Sequence, residues 1–147
     1  EDHVPAMHLK ADLLLAKGQW ADARAIVQQI LDKNPVQARA HYSMGRVLQG
    51  LGELDAAIES LQKACEFFPA YGAAHYAAAS AYRQKGDRNQ ASRHLRAYEL
   101  HKGLDAPLED PLWDKVAELN LGPQSHLRRA ILFEAKGDLR SAAAANQ

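Results

Sequence analysis

The stretch Ala40–Gly45, AHYSMG, returns as AHYAAA at Ala74–Ala79, 34 residues further along the chain. An Ala-His-Tyr tripeptide found twice has three readings: coincidence, a paired histidine site, or two copies of one repeating unit. Shifting the whole sequence by the same 34 residues separates them. Gly18, Gly52 and Gly86 fall into register, as do Ala23, Ala57 and Ala91, and Ala6, Ala40 and Ala74. Ala11, Gly45 and Ala79 are all small. Leu14, Leu48 and Tyr82 are all large, and Val27, Leu61 and Leu95 are all aliphatic. Pro35 and Pro69 coincide, with Gly103 in the third place. So many matches of size at one spacing identify a repeating structural unit.

Each unit reads as two helices. Apolar residues recur three and four apart, the period of one helix face. In the second unit His41, Met44, Gly45 and Leu48 form one stripe, and Leu54, Ala57, Ile58, Leu61 and Ala64 form the next. Between them "GLGEL" (residues 50–54) interrupts the pattern, with Gly52 free to take positive φ at a helix end. Pro69 closes the unit, because it has no N–H to donate to a continuing helix. Small residues at Gly45 and Ala57 let two antiparallel helices approach closely.

With this unit length, these small positions and this terminal proline, the chain resembles the tetratricopeptide repeat family, most closely in its second unit. The resemblance implies an all-α, right-handed superhelical solenoid of antiparallel helix pairs. Three units are expected at 4–37, 38–71 and 72–102. The departures are Met7, His41 and His75, where the family carries a bulky aromatic, and Lys10, where it carries a large apolar residue. Residues 103–122 break the period and carry their own helix signal. Asp110 is a capping residue, Pro111 suits a first turn, and Leu112, Trp113, Val116 and Leu119 form an apolar stripe expected to dock. The pattern resumes at 123–147, where Gly137 and Ala142 match Gly86 and Ala91 after 51 residues. This reads as a fourth unit, truncated at Gln147 and displaced by an inserted helix. Its uncapped apolar side is expected either to be covered by further chain or to drive self-association. A spacer followed by a fourth unit is also similar to repeat regions of bacterial exported proteins that carry c-type cytochrome domains, although this sequence has no Cys-x-x-Cys-His motif.

Composition narrows the function. Eighteen basic residues balance eighteen acidic ones, which argues against a general nucleic-acid binder, since phosphate binding needs a basic excess. No apolar run approaches the roughly 18 residues of a membrane-crossing helix. The start at Glu1 suggests a processed chain or a piece of a longer one. With one cysteine, Cys65, no internal disulfide forms.

Little in the sequence reads as catalytic. Seven histidines invite a metal reading, yet no two lie three or four residues apart on a helix. His41 and His75 are expected to fill the place of the missing aromatic, and His8 and His126 are treated alike. Cys65 has no neighbouring His or Asp in sequence and reads as a buried structural thiol. Glu109 and Asp110 read as loop and capping residues. The basic stretch Arg83–Arg96 reads as a solvated face rather than a phosphate site. No enzyme activity, cofactor or metal is expected of the chain.

The family resemblance implies that the first helix of each unit lines a concave face. Projecting its inward positions selects His8 and Asp12; Arg39, Tyr42, Ser43, Arg46 and Gln49; Tyr76, Ser80, Arg83 and Gln84; and Arg128. Tyr and Arg are favoured anchors of interfaces. The expected function is a scaffold binding a protein or peptide segment in this groove, with an acidic or carboxylate-bearing segment the better match to its arginines. The other readings are an accessory domain that positions a substrate or partner for a larger protein, and a structural self-assembly spacer. The carboxylate clamp that some repeats of the family use on chaperone tails is not expected. The matching places are His8, Asp12, Ser43, Ala73 and Ala77, and none keeps the clamp residue.

Overall fold

The computed structural model describes residues 3–106, within a first compact unit running Glu1–Pro107. Six helices occupy it: α1 Val4–Ala16, α2 Trp20–Lys33, α3 Ala38–Gly50, α4 Leu54–Phe67, α5 Gly72–Lys85 and α6 Arg88–Leu100. No strand occurs among the described residues. The expected inserted helix with Trp113, the truncated fourth unit, Arg128 and the self-association surface lie outside them.

The period of 34 is written into the backbone. Gly18, Gly52 and Gly86 have φ of 70°, 80° and 91°. At each one the same two bonds end the first helix of a pair. The glycine N–H donates to Leu15, Gln49 or Arg83 at 3.1 Å, and the next N–H donates to Leu14, Leu48 or Tyr82 at 2.9 Å. This double capture of the last free carbonyls needs a left-handed residue, which glycine supplies without steric cost. The chain then turns straight into the second helix. Its N–H groups mostly start without a side-chain cap. Among the described helices only α6 has one, Asp87 Oδ1 accepting from Gln90 N at 3.0 Å. Asp87→Ala should therefore cost about 1 kcal/mol, measurable by urea denaturation.

Consecutive helices pack against one another, and the first helices α1, α3 and α5 also meet in a row. The core is correspondingly divided. Ala11, Val27, Met44, Leu48 and Ala57 join the first two pairs. Ile58, Leu61, Ala77, Ala78, Ala81, Tyr82 and Ala91 join the second to the third. Small residues set the spacing: a Cβ at Gly45 would lie 2.5 Å from Leu61 Cγ and 3.3 Å from the Ala57 carbonyl oxygen. Ala57 itself is fully buried. Ala57→Leu should push α3 and α4 apart at a cost of about 1–3 kcal/mol; unchanged chemical denaturation would show that this contact is not tight.

Each pair is joined to the next by a short loop that a histidine holds. His41 Nε2 lies 2.7 Å from the Pro35 carbonyl oxygen, and His75 Nε2 lies 2.8 Å from that of Pro69. Besides occupying the place of the aromatic, these imidazoles tie the helix to the loop that precedes it. After α6 the chain folds back. Leu104 accepts a bond from Gly72 N at 3.1 Å, and Ala106 is buried. A side chain on Gly72 would collide with the His101 carbonyl oxygen, so glycine opens α5 where two backbones cross.

Candidate functional site

Five of the residues selected from the sequence line one cleft. Tyr42, Arg46 and Gln49 enter from α3, and Tyr76 and Ser80 from α5. Ala73, Ala77 and Tyr98 complete a volume of about 480 Å³. Its floor is low because Ala73 and Ala77 are small, and its walls are aromatic. Tyr42 packs on the buried Tyr71 with ring centroids 5.1 Å apart, and the Arg46 guanidinium sits 5.8 Å over the Tyr42 ring. Tyr76 packs against Tyr98 at 5.2 Å yet remains 56% exposed. Gln49 Nε2 donates to Ser80 Oγ at 3.2 Å, bridging adjacent first helices. A smaller recess beside Tyr76 and Ser80 is rimmed by Arg83.

The remaining selected positions divide by environment. Asp12 and Arg39 form an ion pair at 2.7 Å across α1 and α3. Its charge is thus internally balanced. Arg46 and Arg83 are exposed and make no ion pair among the described residues. Gln84 is exposed but lines neither recess.

His8 and Ser43 must be removed from the expected lining. Both are buried, at 1% and 0% exposure. His8 Nε2 pairs with Gln37 Oε1 at 2.8 Å inside the contact between the first two pairs. Burial lowers the His8 pKa, outweighing the Gln37 bond, so the ring is neutral packing at physiological pH. A register of 34 carries over the face of a helix, but not how deeply the next unit covers it.

Tyr98 was missed for a related reason. It lies on α6, a second helix, and only first helices were projected onto the concave side. Its one sequence signal is its size, as the single tyrosine of α6.

The structure also corrects the reading of His75 and Cys65. Cys65 on α4, His75 on α5 and His94 on α6 converge, each half-buried, with potential ligand atoms within 4.8 Å of one another. His75 Nδ1 stands 3.6 Å from Cys65 Sγ and 3.1 Å from His94 Nδ1. The cysteine therefore does have histidine neighbours, brought from two other helices. Burial, with Glu66 nearby, pushes the Cys65 thiol up to about 12. As a free thiol it is thus protonated and a poor nucleophile. Burial lowers the His94 pKa, assisted by His75 and Arg93, so that ring is neutral at physiological pH. The group faces an open cleft of about 510 Å³ lined also by Gln62, Glu66, Gln90, Arg93 and Ala97.

Among known proteins, residues 8–72 match the family model described as Tetratricopeptide repeat. Solved structures of MamA share the fold. MamA 41-end from Desulfovibrio magneticus RS-1 aligns at TM-score 0.63 and 26% identity, covering 69% of this chain and 57% of that one. MamA AMB-1 aligns at TM-score 0.60 and 27% identity, covering 70% and 62%. The chain spans less than two thirds of the length of these structures. No curated protein matches the chain.

Proposed function

We propose that the chain, whose residues 8–72 match the tetratricopeptide repeat model, is a non-catalytic scaffold that binds an extended protein segment in the cleft between α3 and α5. Repeats of this kind stack into surfaces used for protein interaction. The observation that carries the reading here is the exposed ring of Tyr76 in a cleft with Tyr42, Arg46 and Tyr98. It presents large, stiff anchors beside a narrow alanine floor. Such aromatic and arginine groups dominate interface energies when a partner desolvates them.

The charge of the partner follows from which cations are already balanced. Arg39 is held by Asp12, whereas Arg46 and Arg83 project without an ionic partner among the described residues. An acidic or carboxylate-bearing segment therefore fits best. Peptide display against the immobilised chain should enrich acidic sequences. Their binding should weaken from low salt to physiological salt, where exposed charges are screened over about 8 Å. Arg46→Glu should abolish the acidic preference. Selection of basic peptides alone would contradict the charge assignment.

A further inference from the structure

We propose that Cys65, His75 and His94 form a binding site for a first-row transition-metal dication of zinc type, bridging α4, α5 and α6. A thiolate and two imidazoles suit such an ion. Zinc bonds of about 2.0–2.1 Å to nitrogen and about 2.3 Å to sulfur, set at a tetrahedral angle, place ligands about 3.3 Å (N···N) and about 3.6 Å (N···S) apart. The distances here are 3.1 Å between the two imidazole Nδ1 atoms and 3.6 Å from Cys65 Sγ to His75 Nδ1. Two edges of the coordination polyhedron are thus already close to length.

The surroundings orient the ligands. His75 Nε2 is 2.8 Å from the Pro69 carbonyl oxygen, an acceptor only, so Nε2 carries the hydrogen. The Nδ1 lone pair then points toward Cys65 and His94. A backbone carbonyl holding the far nitrogen is the usual way a metal-binding imidazole is fixed. The equivalent His41 makes the same loop bond to Pro35. At the positions 34 residues before Cys65 and His94, however, stand Leu31 of the first unit and Ser60 of the second, neither of them a ligand. The loop bond is therefore a property of the repeat, while the converging ligands belong to the contact between the second and third pairs. All three side chains line the same open cleft, together with Glu66 and Arg93. Binding transfers the Cys65 thiol proton to solvent and leaves a sulfur–metal bond; no electron changes hands.

The test uses the full chain without a polyhistidine tag, kept reduced, and titrated with cobalt(II) as a spectroscopic probe. One equivalent should bind with a thiolate-to-metal charge-transfer band and tetrahedral visible bands, and zinc(II) should displace it. Zinc should also raise the melting temperature, since a ligand of the folded state stabilises it. Cys65→Ser should remove the charge-transfer band, and His94→Gln should weaken binding at least about tenfold. Both should keep the wild-type far-ultraviolet circular dichroism. Cobalt bound without a thiolate band, or no binding by the wild-type chain, would overturn the site. So would undiminished zinc affinity in both folded variants.

Discussion

Leu61→Ala should lower the unfolding free energy by about 2–5 kcal/mol, the usual cost of deleting a buried leucine and leaving a cavity. Leu61 is fully buried and belongs to the cluster that joins the second helix pair to the third. Its side chain also occupies the space that a Cβ on Gly45 would need. It therefore seals two contacts at once, α3 against α4 within a pair and α4 against α5 between pairs. Neither can close over the void without moving a helix. Leu100, which is 80% exposed at the end of α6, provides the control. Its replacement by alanine should stay within about 0.5 kcal/mol. Urea denaturation of the two variants side by side reads the difference. Equal costs would mean that stability does not reside in the contact between units.

Tyr76→Ala should separate binding from folding. The ring is more than half exposed and packs against that of Tyr98. Stability should fall by no more than about 1.5 kcal/mol, the worth of an aromatic pair. Affinity for a display-selected acidic peptide should fall by about 2 kcal/mol or more, the threshold of an interface anchor, or roughly 30-fold. Tyr42→Ala should lower both, since that ring also packs on Tyr71 and against the core around Leu61. Isothermal titration with thermal melts of each variant distinguishes the two effects. Undiminished affinity in Tyr76→Ala would remove it as an anchor.

The fold was legible because its determinants are local and repeated. Gly18, Gly52 and Gly86 mark a backbone conformation that an ordinary side chain resists, so the period is visible in single residues. Gly45 and Ala57 mark helix approach in the same way. The site was legible only in part. Tyr42, Arg46, Gln49, Tyr76 and Ser80 could be projected from a helix face, and they meet in one cleft. His8 and Ser43 lie on the same projection yet are buried, because their exposure depends on what covers them. The convergence of Cys65, His75 and His94 is invisible to a search for ligands three or four apart, which sees one helix at a time. Their meeting point is made by three consecutive helices. A repeat spacing predicts which residues are equivalent; it does not by itself predict which non-equivalent residues touch.

The central claim is that the cleft between α3 and α5 is the binding surface. Its most direct test is an NMR amide-shift map of the isotopically labelled chain, titrated with the tightest display-selected acidic peptide. Binding there predicts the largest shifts at Tyr42, Arg46, Gln49, Tyr76, Ser80 and Tyr98, with little change along α2. Shifts concentrated on α2 and the exposed side of α4, with Tyr76 and Ser80 unmoved, would contradict it.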